Sequence, residues 1–166
     1  MNKYFICLFL LLYGYSLQLS AQDLNPLWET HFSFYNVNNI ESEGEYIYAS
    51  SKNSIFIYNY QTNELTKLTT KEGLSGEFIS SIYFSENKNK LVIGFDNGLI
   101  QVKDFNSNNV YSIYDIIDKT TISPEEKRIN NFNEYSNDIY ISTDYGISVF
   151  NLDTLEFGDT FFIGTN

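Results

Sequence analysis

The chain has 166 residues, 43% of them hydrophobic and 17% aromatic, and carries 21 acidic against 10 basic side chains for a formal net charge of −11. Such a balance disfavours nucleic acid as a partner and favours solubility. With 14 Tyr and 14 Phe against one Trp, the composition suits half-buried pleated surfaces and points to an all-β fold.

Residues 1–21 read as a signal peptide rather than as part of the fold. Lys3 supplies the positive start, Ile6 to Tyr13 the apolar core, and Ser20 and Ala21 the small-residue end, with Leu19 an imperfect fit at −3. The mature chain then starts at Gln22, and loss of Lys3 takes the balance to −12. The apolar core is too short to span a bilayer comfortably and no second such run follows, so the mature chain is expected to have no transmembrane segment. Cys7, the one cysteine, lies at the start of the apolar core and not at its end, which argues against lipid attachment. The exported protein is therefore expected to be free of cysteine, held by burial and backbone pairing, and without thiolate chemistry.

Beyond the leader, short strand patterns alternate with turn residues. A first group runs "VNNIES", "YIYAS", "IFIYN" and "LTKLT"; a second runs "FISSIYFS", "KLVIGF", "LIQVKD" and "VYSIY". A third runs "INNFNEY", "DIYIST", "ISVFNL" and "FGDTFFI". Turn chemistry separates them in "SEGE", "SENKN", "YSND", "QTNE" and "NSNN". The phrases "IYASSKNSI", "LVIGFDNGL" and "IYISTDYGI" align Ile47 with Leu91 and Ile139, and Ser50 with Gly94 and Ser142. Their turn columns hold Lys52, Asp96 and Asp144, then Ser54, Gly98 and Gly146. Glycine accepts positive φ there, and Asp or Asn beside it bonds its own backbone.

The intervals of 44 and 48 residues, each with four short strands, are the signature of β-propeller blades. The reading is about three four-stranded antiparallel blades, at roughly 28–70, 76–116 and 128–163, in a partial propeller over 22–166. Propellers close with about 4 to 8 blades, so three are expected to be the N-terminal part of an incomplete ring whose end faces need cover. The longer second interval falls in "DIIDKTTISPEEKR", expected to be a surface loop in which Ser123 caps a short helical turn opened by Pro124.

Candidate chemistry is sparse. His31 stands alone, and one histidine cannot assemble a histidine-rich metal site, so it reads as a packing residue. Asp96 and Asp144 occupy turn positions where the first blade has Lys52, which turn chemistry explains and a catalytic pair does not. "FDNG" lacks the alternating acidic ligands of a calcium loop. Tyr46, Tyr48, Tyr58 and Tyr60 alternate along adjoining strands, as an aromatic platform for sugar rings or as inter-blade packing. No catalytic, cofactor or metal residues are assigned, no cofactor is expected, and the ligand-binding residues stay open.

The run "EGLSGEFISSIYFSENKNKLVIGFDNGL" resembles the propeller repeat of two-component regulators. Taken with the leader, "LWETHFSFYNVNNI", "LTKLTTKEGLS" and the third group, the chain is similar to the PorZ-type N-terminal β-propeller family of the type IX secretion system. That resemblance implies the first of two seven-bladed propellers, followed by a small C-terminal β-domain. It implies a non-catalytic cell-surface scaffold at the outer membrane, working with the sortase PorU, with PorV and with PorQ to couple secreted cargo to anionic lipopolysaccharide. The alternative it leaves open is a periplasmic sensor domain of a hybrid two-component regulator. A propeller enzyme is a further alternative. An outer-membrane barrel needs strands of about 9 to 11 residues, about twice the length of these.

Overall fold

Alternating apolar and polar positions, interrupted by Gly, Asn and Asp, favour short antiparallel strands. The computed structural model describes residues 36–163, and these residues form twelve such strands in three sheets. The chain divides into two units, Met1–His31 and Phe32–Asn166, and all described residues fall in the second. The leader, its Cys7 and the candidate His31 lie outside the described residues.

The first sheet contains β1 (Asn39–Glu43), β2 (Tyr46–Ser50), β3 (Ile55–Asn59) and β4 (Glu64–Leu68). The second contains β5 (Ile79–Ser85), β6 (Lys90–Phe95), β7 (Ile100–Asp104) and β8 (Val110–Ile113). The third contains β9 (Ile129–Tyr135), β10 (Asp138–Thr143), β11 (Gly146–Asn151) and β12 (Glu156–Phe162). Each sheet is an antiparallel meander in chain order. The sheets meet through their first strands, β1 with β5 and β5 with β9, as blades do around an axis. Where the sequence places a strand, a strand is found, shifted by at most two residues at its ends.

Burial follows from this stacking. Leu91, Ile93 and Phe95 of β6 face sheet one, whereas Val92 and Val102 face sheet three, so the middle sheet is apolar on both faces. One core joins Ile55, Leu68, Leu74, Ile79 and Ile82 to that first face. Another joins Ile129, Phe132, Ile139, Ile141 and Phe150 to the second. Burying each such side chain contributes about 1.5–3 kcal/mol, so the two seams between sheets hold the unit together.

At Gly94 sheets two and three approach too closely for a side chain. A Cβ there would stand 2.7 Å from the Cβ of Ile129 and 2.9 Å from the ring of Phe132, and would overlap the Ile129 Cγ2. The matching Ser50 of sheet one is also buried, and accepts from the Asn39 amide at 3.1 Å. The same Asn39 amide reaches across to the carbonyl of Ser80 at 3.2 Å, tying the first sheet to the second.

Turns repeat more faithfully than their residues suggest. β3, β7 and β11 end in Asn59, Asp104 and Asn151, and each side chain accepts from the backbone N–H groups two and three residues ahead. Four residues beyond, Asn63, Asn108 and Leu155 all adopt φ near +60°. Asn tolerates that region; Leu155 is held in it by the repeated turn around it.

The segment between β8 and β9 is largely exposed, as expected of a surface loop, but it also sends side chains into the core. It forms a helical turn, α1 (Asp115–Asp118), and a 3₁₀ turn at Pro124–Glu126, and buries Ile116, Ile122 and Lys127. Proline opens the 3₁₀ turn as expected, but Ser123 does not cap it: its hydroxyl bonds the Glu125 carboxylate. The apolar Ile116 and Ile122 join the core between sheets two and three, which polar composition around them concealed.

Replacing Gly94 with Ala is expected to lower stability by about 1–3 kcal/mol through overpacking, read as a lower urea midpoint. Combined with Ile129→Ala, the loss is expected to be smaller than the sum of the two single changes, because the second removes part of the side chain that the first strikes.

Candidate interaction surface

The sequence-level candidates do not converge. Lys52, Asp96 and Asp144 sit in three separate hairpin turns between the second and third strands of their sheets. The Lys52 ammonium lies 6.0 Å from the Phe78 ring centroid, the Asp96 carboxylate 3.4 Å from Arg128, and the Asp144 carboxylate accepts from Asn130 at 2.6 Å. Each turn carboxylate thus has a local partner. Among the described residues, no three His, Cys, Asp or Glu side chains converge to hold a metal ion, and no helix is long and apolar enough to cross a membrane.

The four tyrosines split between two faces. Tyr46 and Tyr48 share a face with Ile57 and point toward sheet two, whereas Tyr58, paired with Ile47 and Leu65, lies on the opposite face. Tyr58 donates to Asn63 at 2.8 Å, and Tyr60 is about half exposed. They form no single platform. Tyr48 is instead an inter-sheet residue, 3% exposed, stacked on Phe84 at 4.7 Å between centroids and 16° between planes. Phe105 closes the group, 5.9 Å from Tyr48 and 6.0 Å from Phe84.

These rings floor a cleft of about 780 Å³ between sheets one and two. It opens at the turns joining β1 to β2, β5 to β6 and β7 to β8, and β4 forms its outer wall. Glu43, Glu45, Glu72 and Glu86 line it, with Lys67 and Lys103. Lys103 is itself buried and donates to the Asn108 carbonyl at 2.7 Å and to its side chain. Glu72 is partly engaged as well, accepting from the Thr69 N–H at 2.9 Å in a capping box.

The cleft exists because equivalent positions are filled differently in successive sheets. Between sheets two and three, Phe150 and Phe157 pair across β11 and β12 with centroids 5.1 Å apart and close the seam. The corresponding pair in sheet two, facing sheet one, is Lys103 and Val110. A lysine turned to Asn108 and a valine leave open what two phenylalanines fill.

Electrostatics follow the packing. Burial first, then the neighbouring Tyr46 and Glu43, push the Tyr48 hydroxyl from 10.0 up to about 12. Near the inner strands, Tyr83 donates to Glu134 at 3.2 Å across sheets two and three, and burial and that carboxylate push it to about 12 as well. Burial raises Glu41 above the ordinary carboxyl value. At the Asp104 turn slight burial acts upward, but the N–H groups of Asn106 and Ser107 hold the carboxyl below its usual value.

A unit of four-stranded meanders stacked through their inner strands, each covering the next, is a run of β-propeller blades. The family profile described as the type IX secretion system PorZ N-terminal β-propeller domain matches residues 47–166, and the chain belongs to that family. Among solved structures it is similar to PorZ of Porphyromonas gingivalis, described as an essential bacterial surface component of the type IX secretion system, with a TM-score of 0.72 and 20% identity. It is also similar to the extracellular domain of a putative one-component system from B. thetaiotaomicron, with a TM-score of 0.62 and 20% identity. Both alignments cover 81% of this chain and 18% of the other, so the chain spans less than a fifth of either. The WD40 repeats of RRP9 match at a TM-score of 0.56 and 15% identity, over 71% of this chain and 35% of that one. No curated protein sequence matches.

Because Tyr48 ionises later in the fold than in the unfolded chain, its contribution to stability is present below about pH 10 and is lost as pH rises toward 12. Tyr48→Phe is expected to flatten that alkaline decline and to remove one late-ionising tyrosine from a titration followed at 295 nm.

Proposed function

We propose that this chain is part of a non-catalytic surface scaffold of the type IX secretion machinery, working by offering blade faces and turns to partner proteins. The observation that carries the reading is the family match across residues 47–166. The dispersal of the turn carboxylates among separate local partners supports a binding role over an acid–base one. In this reading residues 1–21 are a leader, the mature chain begins at Gln22, and blades at about 28–70, 76–116 and 128–163 belong to a seven-bladed ring in a longer protein. Its partners are the sortase PorU, PorV and PorQ at the outer membrane, and it helps couple cargo to anionic lipopolysaccharide.

The outward face of sheet three supports continuation of the ring: Tyr140, Val149 and Phe161 stand on it, and Tyr140 and Phe161 are exposed. A second reading, a periplasmic sensor domain, is favoured by the similarity to the extracellular domain of the putative one-component system. The two differ in their company.

Tagging the full-length gene product in its native bacterium and isolating outer-membrane complexes under mild detergent separates them. Co-isolation of the sortase PorU and of PorV, with cargo released unconjugated in a deletion strain, is the expected result. Recovery in the inner membrane with a regulator domain, and normal cargo attachment in the deletion strain, would overturn the scaffold reading.

A further inference from the structure

We infer that the cleft between sheets one and two is a docking site for a basic, apolar peptide segment of a partner protein, whose cationic side chain lies over the aromatic floor beneath the carboxylate lip. The inference gives the scaffold reading a specific surface and rests on it. Three features of the cleft lead there.

The floor is electron-rich and apolar. Tyr48, Phe84 and Phe105 present a contiguous aromatic wall, and a cation already lies near it, the Lys103 ammonium 5.9 Å from the Phe105 centroid. Aromatic faces attract ammonium and guanidinium groups. Tyr46, about half exposed and 6.4 Å from Tyr48, carries the same surface outward to the mouth.

The lip is acidic. Glu43, Glu45 and Glu86 stand on two neighbouring turns at the opening, and Glu45 and Glu86 are exposed to solvent. Of the two lysines at the cleft, Lys103 is committed to Asn108, and Lys67 pairs with Phe56 on the opposite face of sheet one from Thr66 and Leu68. A basic segment therefore meets attraction at the mouth and an apolar surface within.

The outer wall is a strand edge. β4 ends its sheet, and its Thr66 and Leu68 line the cleft, so a segment seated in the cleft passes at the rim beside the outer backbone edge of β4. Strand addition with pockets for alternate side chains is how such edges take peptides. A neutral glycan would use the rings but not the acidic lip.

The test uses the intact purified protein and a fluorescein-labelled peptide of alternating Leu and Arg, followed by fluorescence anisotropy. Saturable binding is expected, weakened about tenfold when citrulline replaces every Arg and weakened again in high salt. The double variant K103F/V110F copies the Phe150 and Phe157 pair into the cleft; it is expected to abolish binding with an equal or higher melting temperature. The rim variant E45Q/E86Q touches only exposed carboxylates and is expected to weaken binding about fivefold with an unchanged melting temperature, which decides the matter if the filled variant folds poorly. Equal binding of the citrulline peptide, undiminished binding by the rim variant, or tighter binding of a neutral oligosaccharide that the filled variant blocks would overturn the inference. No secretion component enters this assay, so its failure leaves co-isolation with the sortase intact, and loss of co-isolation leaves peptide binding to be read on its own.

Discussion

A short meander sheet has two apolar faces to cover, and the stacking of one sheet on the next is the constraint on which the rest of this molecule depends. The middle sheet shows the constraint satisfied on both sides. Every residue from Leu91 to Phe95 in β6 and from Ile100 to Lys103 in β7 is buried, with no alternation left to see. The third sheet, covered on one side, keeps a strict alternation in β11. The same four-stranded unit thus reads as continuously buried or as amphipathic according to its neighbours alone.

Packing across these seams is graded by a few positions in register. Where Gly94 faces Ile129 and Phe132, the backbones come close enough to exclude even a methyl group. Farther out on the same seam, Phe150 and Phe157 keep the space filled. On the neighbouring seam Ser50 takes the place of Gly94, and Lys103 and Val110 take the places of the two phenylalanines. One architecture, repeated, therefore yields a closed seam and an open one, and the difference lies in three side-chain choices. Polar links follow the same seams: Lys90 donates to the Leu152 carbonyl at 2.7 Å and Lys88 pairs with Asp153 at 2.6 Å, both between sheets two and three.

Strands were legible in the sequence because period-two alternation and turn residues are local properties. "YIYAS", "IFIYN", "KLVIGF", "INNFNEY" and "DIYIST" are strands from their first residue to their last. The glycine column was equally readable, with Gly98 at φ +88° and Gly146 at φ +145°. The Asx turns at Asn59, Asp104 and Asn151 carried a signal at fixed spacing, but it is an Asn or Asp among many in a chain rich in both. The buried Ile116 and Ile122 were concealed by the charged residues around them, since burial of a loop depends on the groove it crosses. The cleft was illegible for a stronger reason: its walls come from residues 43 to 108, and its existence depends on what is missing opposite Tyr48 and Phe84. The pairing of Tyr46 with Tyr48, and of Tyr58 with Tyr60, was readable as two pairs, whereas which pair faced another sheet was not.

Propeller blades by themselves do not discriminate a scaffold from a sensor, because both similar extracellular structures share the stacking that holds these sheets together. Discrimination has to come from positions that stacking leaves unconstrained. Residues on the seams answer to packing: exchange of Phe150 for Lys103 at equivalent sites is tolerated only because the lysine finds Asn108 within its own hairpin. Residues on the connecting turns answer to nothing inside the blade once their own backbone bonds are made, and Glu43, Glu45 and Glu86 gather at one mouth without an internal ion pair among the described residues. Like charges placed together at an opening cost stability in isolation. Such a cost is offset when an oppositely charged partner arrives, which makes the open seam, and not the shared blade, the part of this structure that speaks to function.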